Sequence, residues 1–311
     1  LRKLFQVNQN FTKKQKISKQ KPFTLCCKNT KTKKEMRVRI VFGLKNKGAC
    51  VPFHHQHLLY ELVMKLLPPT YNLHTYSFSG LKGQTQTTQK GLHFYSSKVT
   101  WVVSSLSRNF LKQLVSAIFQ QEQLYIGELL LKPEYVEKEI LPDLGNKTQF
   151  LCISPIVLAN PNKNSFYAKH FVSPSVSLFS DLIYEATLSR MEASHLYTPE
   201  EMKEFSKFQV VPDAEYLERI KNNDKKFARI YTLQESGIRY EIRGYTFPFT
   251  LYAHPKVQNF VLACGLGSYT YKGYGMLDLA DHSQTQRFIL PHWEMIDEDL
   301  EAIKVNGKDE F

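Results

Sequence analysis

A chain of 311 residues that is 42% hydrophobic, 23% charged and 13% aromatic has apolar material for one large or two modest cores. Glycine (14) and proline (14) stand at ordinary levels, and no apolar run of about 18 residues could cross a bilayer as a helix, so collagen-like, low-complexity and membrane-helical chains are excluded. The net charge of +12 is local: residues 1–35 hold eleven Lys or Arg and one acid, whereas the other 276 residues hold 30 basic and 28 acidic groups.

Residues 1–35 scatter Lys, Gln, Asn and Thr without an apolar period and are expected to form a disordered basic extension, the fold beginning at Met36. The alternative for this stretch is an RNA-binding arm. Residues 37–44 alternate charged and apolar side chains as a half-buried strand does. Pro52 then opens a helical pattern carried by Leu58, Leu59, Leu62, Val63, Leu66 and Leu67, which Pro68 and Pro69 stop. Short strands are predicted over 75–78, 92–95 and 98–103, a second amphipathic helix over 107–120, and a strand over 123–131. This order is that of a ferredoxin-like or RRM-like module.

The second half repeats the theme. A strand is predicted over 149–158 with Pro155 at an edge or bulge, and a long helix over 175–192 on which Arg190 faces solvent. The polar stretch 196–224 has no assigned structure beyond partial helix. Strands follow over 227–232 and 237–253, then a short helix from Pro255 with Val257, Phe260, Val261 and Cys264 on one face, ended by Gly265. A strand over 274–279 closes the module. The fold class is therefore α+β, tandem ferredoxin-like (RRM-like) domains over 36–147 and 148–290, with an acidic tail over 291–311. The five cysteines, Cys26, Cys27, Cys50, Cys152 and Cys264, form no CxxC pair, which points to a reducing interior and away from a zinc site. The basic start is followed by no apolar signal segment, so the expected location is the cytoplasm.

Residues 265–275 read GxGxxxxxGxG between a helix and a strand. Glycines there permit positive φ and close approach of backbone amides to a phosphate chain, and Tyr269, Tyr271 and Lys272 add stacking rings and a charge. A dinucleotide fingerprint needs strand-then-helix order and a P-loop needs Gly-Lys-Ser/Thr; neither is present. A purely structural glycine-rich turn is the competing reading.

Four segments in fixed order over about 36–279 resemble the CRISPR repeat-processing endoribonuclease family of the RAMP superfamily. They are Met36-Arg-Val-Arg-Ile-Val-Phe42 leading to Val51-Pro-Phe-His-His-Gln-His-Leu-Leu-Tyr60, the strand Phe150-Leu-Cys-Ile-Ser-Pro-Ile-Val157, the run Ile238-Arg-Tyr-Glu-Ile-Arg-Gly-Tyr-Thr-Phe247, and the closing Gly273-Tyr-Gly-Met-Leu277. The resemblance implies two ferredoxin-like domains with a positive cleft, and cleavage of CRISPR precursor RNA once within each repeat. It also implies chemistry without metal or other cofactor, in which the 2′-hydroxyl attacks the adjacent phosphate to leave a 2′,3′-cyclic phosphate and a 5′-hydroxyl. Implied partners are precursor and mature CRISPR RNA and the subunits of a CRISPR effector complex, with the protein a monomer or homodimer that needs no membrane. The rival from another class is a non-catalytic RAMP subunit that binds RNA in an effector complex.

Such cleavage needs a base, an acid and a cation, for which histidine and Lys or Arg are suited. The family's Tyr–His–Lys arrangement is poorly matched, with Met64 where a tyrosine often stands and His74 in a shortened segment. The expected catalytic group is instead the helix-start cluster, His57 first, then His54 and His55. Residues 54 and 57 share a face at i, i+3. Each imidazole has a competing structural reading as a cap or packing group. Lys82 is the expected phosphate-stabilising cation, and Gly265, Gly267, Lys272, Gly273, Gly275, Arg243 and Arg239 the expected RNA-binding residues. Zinc binding by the cluster lacks a fourth ligand.

Overall fold

A computed structural model describes residues 36–158, 172–223, 228–235, 238–283 and 285–290. The expected basic extension 1–35 and acidic tail 291–311 lie outside the described residues. The first half runs β1 (Met36–Leu44), β2 (Cys50–Val51), α1 (Gln56–Leu66), β3 (Tyr76–Phe78), β4 (Thr85–Thr88), β5 (Gly91–Phe94), β6 (Lys98–Ser105), α2 (Arg108–Phe119), β7 (Leu124–Ile126) and β8 (Leu129–Ile140). The second begins with β9 (Lys147–Cys152), β10 (Ile156–Val157), α3 (Ser177–Ser194), α4 (Pro199–Glu204), β11 (Phe208–Pro212) and α5 (Ala214–Asn222). It ends with β12 (Ala228–Glu235), β13 (Ile238–Tyr245), β14 (Phe249–Ala253), α6 (Pro255–Cys264), a 3-10 turn at Thr270–Lys272, β15 (Leu277–Leu279) and β16 (Gln286–Leu290).

The period-2 pattern of β1 turns Val38, Ile40 and Phe42 toward α1 and α2, where they meet Trp101, Val103, Leu59, Val63, Phe110 and Leu114. The sheet order β8-β1-β6-β3 with those two helices is a ferredoxin-like module. The order β11-β14-β9-β15 repeats it, with Phe150, Leu251 and Ala253 packed against Phe179, Ile183, Val257, Phe260 and Val261 of α3 and α6. The fold is thus a tandem ferredoxin-like α+β fold. A separate three-stranded sheet, β10-β13-β12, covers a small core of Val157, Tyr231, Leu233, Ile242 and Tyr274. Among the described residues no helix is long and apolar enough to cross a membrane.

Several elements differ from the sequence expectations for local reasons. The single strand expected over 123–131 is a hairpin of β7 and β8, turned by Gly127 at φ 59°. The long strand expected over 237–253 divides at Phe247 and Pro248 into β13 and β14, which belong to different sheets. The unassigned stretch 196–224 holds α4, β11 and α5, with a capping box at Thr198 and Glu201. β16, unforeseen, adds to the edge of the first sheet beside β8. Arg190, expected at the surface, is buried under the glycine-rich loop.

The two sheets are joined through the polar face of β1. Arg37, fully buried, donates to Asp278 Oδ1 at 2.8 Å and to the carbonyls of Leu277 and Leu262 at 2.7 and 3.1 Å. Arg39 pairs with buried Glu139 at 2.7 Å. Ser77 on β3 donates to Ala263 O at 3.0 Å, so the end of α6 rests on the first module.

Candidate active site

β2 delivers the chain to the start of α1, where the three imidazoles meet three different environments. His55 is 4% exposed. Its Nδ1 lies 3.2 Å from Pro52 O, which can only accept, and its Nε2 accepts the Leu81 amide at 2.8 Å. Burial pushes its pKa down to about 4. Both ring nitrogens are used and the ring is neutral, so His55 ties α1 to the segment after β3.

His57, in the first turn of α1, is exposed. Its Nδ1 sits 2.6 Å from His54 O, and since a carbonyl only accepts, Nδ1 carries the proton. When the ring is neutral, its lone pair is then on Nε2. His54 is half-buried, its ring centroid 4.4 Å from that of Tyr231 on β12, and its Nδ1 is buried with no hydrogen-bond partner. Burial first, then Arg229 and His57, hold its pKa below the usual histidine range. Tyr231 in turn packs edge-on against Tyr274 of the glycine-rich loop, centroids 5.4 Å apart. The fold thus brings the helix start, the β12 strand and the loop after α6 to one place, from positions far apart in the chain.

Lys82, next to the Leu81 amide that His55 accepts, is exposed. Burial and then Arg39 hold its pKa below the ordinary lysine value, and its other charged neighbours are Asp278, Arg37 and Glu139. It belongs beside the ion network between the sheets.

Gly265, Gly267, Gly273 and Gly275 all have positive φ, as anticipated, but the amides of Gly265, Leu266, Ser268, Lys272, Gly273 and Gly275 donate to carbonyls of the chain itself. Those amides cannot cradle a phosphate in this conformation. The glycines serve close packing: a Cβ on Gly275 would run into the Leu266 carbonyl, and one on Gly273 would stand 2.6 Å from the Phe78 ring. Lys272 is 6% exposed, its ammonium 5.5–5.8 Å from the ring centroids of Tyr60, Tyr269 and Tyr271. It pins the loop to α1 and does not line an open path. Arg190 completes the brace, donating to Cys264 O at 2.5 Å, Gly265 O at 2.8 Å and Gly267 O at 3.3 Å. Arg243 on β13 is half-buried beside Tyr245. Arg239 pairs with Gln234 in the β12–β13 register, and its side chain is outside those described.

One set of ligand-type side chains converges among the described residues, Glu139, Asp278 and His282, but Arg39 and Arg37 already bind its carboxylates. Arg229 and Tyr231 were not singled out from sequence. The alternation Arg229-Ile230-Tyr231 marks a strand with one polar-aromatic face, yet nothing local says that this face meets residue 54.

The chain thus holds two ferredoxin-like modules in series, with a glycine-rich loop between α6 and β15 of the second. Residues 136–279 match the family model described as CRISPR associated protein Cas6, C-terminal. Over 258 residues the chain is 22% identical to a putative CRISPR-associated endoribonuclease-like protein Cas6 of Pyrococcus furiosus, covering 79% of this chain and 99% of that one. Its fold is similar to that of a Cas6-related protein of Pyrococcus furiosus, with a TM-score of 0.66, 19% identity and coverage of 80% and 100%. It is also similar to a RAMP protein described as binding different RNA substrates, with a TM-score of 0.62, 20% identity and coverage of 79% and 100%. These matches show that the chain is similar to Cas6 proteins, over residues 136–279 by the family model and in its fold by the solved structures.

Proposed function

We propose that the chain cuts CRISPR precursor RNA within its repeats, without metal, by attack of a ribose 2′-hydroxyl on the adjacent phosphate. The observation that carries this reading is the exposed His57 ring, whose Nδ1–H is held by His54 O at 2.6 Å so that Nε2 is the free proton acceptor. In the reaction Nε2 takes the 2′-hydroxyl proton as the O2′–P bond forms, the P–O5′ bond breaks as water protonates the leaving oxygen, and the hydroxide so formed takes the proton from the imidazolium. The products are a 2′,3′-cyclic phosphate and a 5′-hydroxyl. His54, kept neutral by its surroundings, orients His57 through its carbonyl and walls the site with Tyr231. Arg243 and Arg239 on β13 are the proposed contacts to the RNA backbone. The glycine-rich loop acts through the shape it holds.

A second reading, a RAMP subunit that binds repeat RNA without cutting it, is favoured by the engagement of His55 and Lys272 in the fold itself. Incubation of the full chain with repeat RNA of its own array in EDTA separates the two. Cleavage that is lost in His57→Ala supports the first; tight binding of uncut RNA by the wild-type chain supports the second.

A further inference from the structure

We propose that Arg229 is the cation that grips the scissile phosphate, an inference resting on the RNA-cleaving reading above. Arg229 and Tyr231 are two apart on β12 and so share one face of the strand. The Tyr231 ring lies against His54, which places this face over the start of α1. Arg229 is exposed, and among the described residues no carboxylate pairs with it. Its charge acts on His54, which is also the neighbour of His57.

This arrangement is unfavourable for the empty protein. A guanidinium beside the His54 imidazole, with no acid paired to it among the described residues, disfavours protonation of that ring. The cost disappears when an anion enters, because a phosphate accepts two guanidinium N–H bonds in fork geometry and neutralises the local charge. The anion must also touch His57 Nε2, which suits a phosphodiester whose neighbouring 2′-hydroxyl is to be deprotonated. As the O2′–P bond forms and the P–O5′ bond breaks, charge grows on the non-bridging oxygens. Arg229 stabilises that charge by hydrogen bonding, with no net proton transfer of its own. The sequence expectation for this role is Lys82, an exposed residue whose charged neighbours are Arg39, Asp278, Arg37 and Glu139.

The test compares wild type, Arg229→Gln and Arg229→Lys as full chains on repeat RNA of the chain's own array, in EDTA, under single turnover. Affinity is measured separately on the same RNA with a 2′-deoxy sugar at the cut site mapped with wild type. The expected result is a cleavage rate lower by about 10²–10³-fold in Arg229→Gln. Affinity for the deoxy RNA should fall less than about tenfold, since one phosphate contact among several is lost. Arg229→Lys should recover part of the rate, and the thermal midpoint should not move. An Arg229→Gln rate within about threefold of wild type overturns the proposal, as does a loss confined to affinity. A wild-type chain that never cuts refutes the enzymatic reading itself, and is scored first.

Discussion

Three histidines within four residues have separate fates because each ring nitrogen meets a different partner. His57 offers Nε2 to solvent, so His57→Ala should lower the cleavage rate by about 10²–10⁴-fold with affinity for uncleavable RNA nearly unchanged, checked by single-turnover and filter-binding assays. His55 carries a stability signature instead. Its pKa is about 4 in the fold against 6.5 in the unfolded chain, so between those values the unfolded state binds more protons. Its contribution is complete above pH 6.5 and is lost as pH falls through 4, up to about 3 kcal/mol. Urea unfolding from pH 7 to 4 should show a shallower loss in His55→Gln than in wild type. The sequence gives the i, i+3 spacing that pairs residues 54 and 57, but the proton on His57 Nδ1 depends on a carbonyl direction that spacing alone does not encode. Lys272 shows the same limit, since a loop lysine reads as solvated until its surroundings are known.

Elements were legible where a period or a stop signal acts locally. Both α1 and α6 end where Pro68 and Gly265 require, and Ser107 caps α2 by accepting the Phe110 amide. The β12–β13 hairpin and β14 were harder, because one continuous apolar–polar alternation crosses two sheets and only Pro248 marks the change. The glycine-rich loop was legible as backbone geometry but not as function, since the destination of its amides depends on β10 and α6. Two substitutions test its role as a brace. Gly275→Ala, at φ 66° with the Leu266 carbonyl in the way of a Cβ, should destabilise by about 2–3 kcal/mol. Arg190→Met, which leaves the carbonyls of Cys264, Gly265 and Gly267 without their charged donor, should cost about 2–4 kcal/mol. Urea titrations of both variants measure these losses.

For the whole molecule, the order of strands and helices was enough to read two ferredoxin-like modules, because that order is set by hydrophobic periods along the chain. How the modules join was not, since the contacts that fix it link Arg37 to Asp278 and Ser77 to Ala263 across most of the sequence. Alternation placed Arg37 opposite the first core, yet a second module covers that face and buries the side chain completely. Arg37→Met should therefore destabilise the protein by about 3–5 kcal/mol, because Glu139 and Asp278 lose a buried counter-charge. Denaturant titration by far-UV circular dichroism would show it. The same joining brings Tyr231 of β12 against His54 at the start of α1, so the proposed site draws on both halves. The most direct measurement is the chemistry of the cut ends after incubating the wild-type chain with repeat RNA of its own array in EDTA. The predicted products are one 2′,3′-cyclic phosphate and one 5′-hydroxyl per repeat, absent with His57→Ala. A 3′-hydroxyl product, a requirement for magnesium, or undiminished cutting by His57→Ala would contradict it.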